Sequence, residues 1–209
     1  MIGTLILRLL AALDSDSLSL GLALPPLPAA ELAADGASAE PPPPVARPSF
    51  FEQGRFTANG LASAEFADEG DAQYLARGGG GYFLLDGLAL NGEILAGAAD
   101  PRGEEEAWVI GLDLVLRWHL LRGGDEPEAA AWSAFLDIGG GIQQASDEFP
   151  PGSHFNFRTR LGFGGTVEIA EDVSLIGGAS FVHISNSNLG DVNPGMSGTL
   201  VYLGVLVHF

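Results

Sequence analysis

Between Trp108 and Leu120 every second residue is large and apolar: Trp108, Ile110, Leu112, Leu114, Leu116, Trp118 and Leu120. The positions between them include Asp113, Arg117 and His119. Side chains leave a β-strand alternately on its two faces, so this period of two reads as a strand with one greasy and one polar side. The greasy side must meet either a protein core or hydrocarbon. A tryptophan near each end gives it the look of a lipid-facing band with its aromatic girdle.

The same alternation recurs in seven other segments. Residues 55–66 set Phe56, Ala58, Gly60, Ala62, Ala64 and Phe66 against Arg55, Thr57, Asn59, Ser63 and Glu65, with Leu61 as the exception. A second strand is expected within 73–85, where Gly78 to Gly81 blurs the pattern and suggests a bend or bulge. The Asp86-Gly87 pair is a hairpin signal, and beyond it Leu88, Leu90, Ile94 and Ala96 oppose Asn91 and Glu93. Further on, Trp132, Ala134, Leu136, Ile138 and Ile142 oppose Ser133, Asp137 and Gln143. Phe155, Phe157, Leu161, Phe163, Val167 and Ile169 oppose Asn156, Arg158, Arg160, Thr166 and Glu168. Residues 173–185 and 199–209 supply the last two, the latter ending on Phe209.

The inner face of a soluble sandwich alternates in the same way, so length and charge have to decide. The segments run roughly ten or more residues, as tilted membrane strands do. Their polar faces carry Arg, Asp and Glu able to pair inside a narrow lumen, and eight strands enclose an interior just wide enough for side chains to fill. The fold expected is therefore all-β: an eight-stranded antiparallel transmembrane β-barrel with a disordered N-terminal arm. Within it, residues 1–39 read as an export signal or disordered N-terminus, 40–54 as a Pro-rich linker, and 55–209 as the barrel. Proline lacks the N–H donor a sheet needs, which keeps Pro41 to Pro44 outside it. With both ends of the barrel in the periplasm, the links after strands one, three, five and seven face outward. Those are the acidic or long ones, whereas Asp86-Gly87 and 170–172 are short, as periplasmic turns are; the link from Arg122 to Ala130 is longer than this rule expects.

Composition removes several functions. A formal net charge of −18 with only 9 Lys plus Arg argues against a nucleic-acid partner. The absence of Cys excludes disulfides and thiolate metal sites. Gly78 to Gly81 lacks the Lys and following helix of a phosphate loop. His119, His154 and His208 fall on separate strands without metal-ligand spacing, so no metal or cofactor is expected.

The chemistry-bearing stretch is Phe181 to Ser197, which holds the only His-x-Ser-Asn grouping. On an extended strand His183 and Ser185 share a face, with Cβ atoms about 7 Å apart. A serine hydroxyl becomes an effective nucleophile when a base takes its proton, and histidine suits that task near neutral pH. A neighbouring Asn amide could donate to the oxyanion formed at an ester carbonyl.

His183-Ile184-Ser185-Asn186 followed by Asn193-Pro194-Gly195 resembles the lipid A 3-O-deacylase (PagL-like, acyloxyacyl hydrolase) family of outer-membrane barrels. The likeness is specific over about the last quarter of the chain and architectural before it. It implies a bacterial outer-membrane location, lipid A or a related acylated glycolipid as partner, and hydrolysis of an ester-linked acyl chain. By matching position, Ser185 is the nucleophile, His183 the general base and Asn186 an oxyanion contributor. The family's acidic third member falls at Ser197, which cannot supply a negative charge. Asp191, or Glu168 or Glu171, would be a substitute acid; Ser197 would otherwise be a neutral orienter. The alternative to an esterase is a non-catalytic small outer-membrane barrel whose acidic loops bind divalent cations, and a soluble barrel with an apolar ligand cavity is the third reading. The oligomeric state is left open.

Overall fold

The computed structural model describes residues 50–67, 70–100, 106–124, 130–189, 192–193 and 195–209. Eight strands follow in chain order: β1 (Phe56–Ala67), β2 (Ala72–Leu85), β3 (Leu88–Asp100), β4 (Ala107–Gly123), β5 (Trp132–Ala145), β6 (Phe155–Ala170), β7 (Val173–Ser185) and β8 (Met196–His208). Each pairs antiparallel with its sequence neighbours, and β8 returns to β1, closing the sheet into a barrel. Closure leaves no edge strand with unpaired backbone groups, which is the condition for spanning hydrocarbon with strands.

The faces sort as the alternation requires. Ile94, Trp108, Leu114, Ile138, Leu161, Phe163 and Leu203 point outward and are more than half exposed, whereas Arg77, Arg117, Arg158 and Arg160 are buried in the lumen. A water-soluble domain distributes these residue types the other way round. Leu61, the break in the first strand's pattern, is an inward residue of the apolar lumen cluster. Ile176, Val182 and Ile184 of β7 also face inward, so this strand is apolar on both sides.

Across the middle of the lumen, four arginines meet four carboxylates. Arg77 pairs with Glu93 and Asp113, Arg158 with Glu65, and Arg160 with Glu93 at 3.1 Å and Asp137 at 3.0 Å. Arg117 grips Asp137 through Nε at 2.8 Å and Nη2 at 2.9 Å, a two-pronged geometry specific to guanidinium, and its Cζ lies 4.4 Å from the centre of the Phe135 ring. Tyr202 donates its hydroxyl to Asp137 as well.

Two sequence expectations shift. Gly78 to Gly81 makes no bulge: β2 pairs continuously with β1 and β3 through all four, since ladder hydrogen bonds need no side chain, and the register slips at Phe83/Leu85 instead. Phe50 and Phe51, assigned by sequence to the linker, are buried under the barrel end that carries the C-terminus. Phe50 stacks on His208 at 4.5 Å, Phe51 packs on His119 at 4.8 Å, and the Phe51 carbonyl accepts from Gly87 N–H. Residues 1–49 and Asp191 lie outside the described residues.

Candidate active site

The site forms where β7 ends. The alternation that turns Leu175 and Phe181 outward carries on to His183 and Ser185, both partly exposed on the lipid-facing side. Phe157 of β6 lies opposite Ser185 and Thr159 opposite His183, while on the other side β8 places Ser197 opposite His183. His183 Nδ1 is 2.9 Å from Ser197 Oγ. If Nδ1 carries the ring proton and donates it to that hydroxyl, Nε2 is left with its lone pair free to act as a base. Among the described residues no hydrogen bond joins Ser185 to His183; contacts of this kind are often loose without substrate.

Beyond Ser185 the chain leaves the sheet through an asparagine-built turn. Ser187 and Asn188 take left-handed backbone angles (φ 52° and 61°), which Asn tolerates better than most residues. Asn188 N–H donates to Asn186 Oδ1 at 2.9 Å, and Leu189 N–H to the Asn186 carbonyl at 3.0 Å. The rest of Asn186 is equally committed. Its backbone N–H donates to Asn193 Oδ1 at 3.1 Å, and its Nδ2 donates to the Val192 carbonyl at 2.8 Å and the Gly152 carbonyl at 3.4 Å. Asn193 Nδ2 reaches back to Asn188 Oδ1 at 3.2 Å. On the return, Gly195 takes φ 65° and passes so close to the imidazole that a Cβ there would lie 3.1 Å from His183 Cε1.

The structure therefore brings His183, Ser185, Asn186 and Ser197 to one end of one strand pair. Of the substitute acids, Glu168 accepts Ala131 N–H at 2.9 Å at the opposite end of β6, and Glu171 sits in the β6–β7 turn at that same end. Sequence reasoning did not single out Asn193 or Gly152 as residues that fix this site. The Asn193-Pro194-Gly195 run hinted at the first; Gly152 gave no signal beyond its place after two prolines. Among the described residues, no group of three or more His, Asp or Glu side chains is arranged to hold a metal ion.

A sequence model of the lipid A 3-O-deacylase (PagL) family matches residues 81–205, more than half of the chain. The chain belongs to this family. As a PagL-family protein it is a bacterial outer-membrane barrel. Solved structures share the fold. The crystal structure of the outer membrane enzyme PagL superposes with a TM-score of 0.53 at 16% identity, covering 71% of this chain and 98% of that one. The outer membrane protein OprG from Pseudomonas aeruginosa gives 0.51 at 9% identity, covering 78% and 99%. The N-terminal β-barrel domain of Pseudomonas aeruginosa OprF gives 0.50 at 16%, covering 75% and 98%. No curated protein matches the chain in sequence.

Proposed function

We propose that this PagL-family barrel is an esterase that removes an ester-linked acyl chain from lipid A or a closely related glycolipid. The observation that carries the reading is the outward-facing His183–Ser185 pair with Ser197 bonded to the imidazole, at the β7–β8 loop end of the barrel, which this reading sets in the outer leaflet. A water-soluble ester has no reason to meet a dyad that looks into lipid. An acylated glycolipid of the outer leaflet does, with its acyl chains beside the exposed Phe157, Leu161 and Phe181.

In this mechanism His183 Nε2 takes the proton of Ser185 Oγ as that oxygen attacks the ester carbonyl. The tetrahedral intermediate collapses to an acyl-serine, and the imidazolium returns the proton to the departing sugar oxygen. Water, deprotonated by the same nitrogen, then releases the fatty acid and restores Ser185. Asn186 assists the oxyanion through a shared Nδ2–H, which bifurcates between the Gly152 carbonyl, now at 3.4 Å, and the developing charge, while that bond and the 2.8 Å bond to Val192 keep the amide in place. Ser197 orients the imidazole as a neutral acceptor in place of a carboxylate.

Mass spectrometry of lipid A from cells producing the wild-type chain or Ser185→Ala tests the reading. The wild type is expected to yield lipid A lighter by one acyl chain, and the variant to leave it intact. Identical acylation in both would refute it.

A further inference from the structure

We infer that the β5–β6 loop, residues 146–154, belongs to the active-site machinery, with Gly152 as a positioning residue for Asn186 and hence for the end of β7. This deepens the esterase reading and rests on it for its catalytic consequence, though the coupling between the loops stands on geometry alone.

The loop is anchored from inside the barrel. Phe149 is buried in the lumen cluster, and its carbonyl accepts from Asn156 Nδ2 at 3.0 Å and Gln143 Nε2 at 3.4 Å. Gln143 in turn accepts from Arg158 of the ion-pair network at 2.6 Å. Three residues beyond Phe149 the chain turns at Gly152 with φ 96°, and Glu148 Oε2 accepts the Gly152 N–H at 2.9 Å. The Gly152 carbonyl is thereby aimed at Asn186 Nδ2.

The two loops also touch. A Cβ at Gly152 would lie 2.6 Å from both the Val192 carbonyl oxygen and Val192 Cγ2, closer than real Cβ atoms approach. Position 152 therefore has to be glycine on two counts, its left-handed backbone and the passage of the β7–β8 loop against it. Both carbonyls that receive the Asn186 amide, those of Gly152 and Val192, are at this contact. The residue next to the nucleophile is held between two loops, and only one of them belongs to its own hairpin.

Gly152→Ala in the full-length protein, in detergent micelles, tests the assignment against Gly124→Ala. Gly124 also has a left-handed backbone (φ 90°) and also meets backbone across its link, at Ala130 and Ala131, but at the opposite end of the barrel. Gly152→Ala is expected to speed backbone hydrogen exchange at Asn186 and Asn188 at least tenfold. It should also lower kcat on lipid A in mixed micelles at least tenfold, with KM within twofold. Gly124→Ala should change neither. Wild-type exchange at Asn186 and Asn188 in Gly152→Ala would overturn the proposal, as would an equal fall in kcat for both glycine variants. If Gly152→Ala does not assemble, Glu148→Gln weakens the same loop from the solvent side and should move exchange and kcat in the same direction. Equal rates for wild type and Ser185→Ala would defeat the esterase reading instead, and the exchange comparison would still decide whether the loops are coupled.

Discussion

In the proposed mechanism the third-member position falls to Ser197. A hydroxyl can hold an imidazole in one tautomer, as the 2.9 Å contact to Nδ1 does, but it cannot offset the positive charge that forms when the ring takes a proton. Ser197→Ala removes one neutral hydrogen bond, worth about 1 kcal/mol, so hydrolysis should fall about fivefold. Ser197→Asp puts a carboxylate at the third position of the triad. Because losing such an acid costs about 10⁴-fold in a serine protease triad, a gain of more than about tenfold in kcat is expected. A fluorescent acyl-ester assay in micelles reads both; a Ser197→Asp variant slower than wild type would show that the pocket cannot seat the charge beside His183.

At the level of a strand, alternation assigns each face a different stability rule. On β5, Asp137 points inward and receives Arg117, Arg160 and Tyr202, whereas its neighbour Ile138 points outward and is more than half exposed. Asp137→Ala leaves two guanidinium groups without their shared counter-charge and should cost about 3–5 kcal/mol of unfolding free energy. Ile138→Arg instead drives a cation into hydrocarbon and should cost about 2–4 kcal/mol if the residue sits near the bilayer midplane, less nearer the interface. Urea unfolding in lipid vesicles measures both. In detergent-free aqueous buffer the second substitution would help a soluble barrel, so its sign also tests which solvent the outer face meets.

For the whole molecule, the lumen network takes four of the nine basic residues and four of the 27 acidic ones, so the net charge of −18 lies entirely outside it. Among the described residues the lumen arginines and carboxylates balance in number, Phe149 is buried at the β5–β6 loop end and Phe50 and Phe51 at the other, and an eight-stranded barrel is just wide enough for side chains to fill. Planar-bilayer recordings of the purified protein are expected to show no steady conductance. Phe51→Ala, which empties the contact with Phe83 and His119, should destabilise the barrel by about 3–5 kcal/mol while leaving hydrolysis at the far end unchanged. A loss of activity without a loss of stability would contradict that separation.

The period-two pattern of residues such as Ile110, Leu112 and Leu114 marked eight strands with one greasy and one polar face, because alternation is a local property of an extended chain; strand length and the charges on the polar faces were needed to choose a membrane barrel over a soluble sandwich. The His-x-Ser-Asn run likewise put an imidazole and a hydroxyl on one face of one strand. What local pattern cannot carry is register across strands or the path of a loop. That Ser197 faces His183, that Phe50 and Phe51 close the lower mouth and that Gly152 receives the Asn186 amide all follow from pairings between residues 14 to more than 150 positions apart. Such pairings are fixed only when the sheet closes and the loops settle on it.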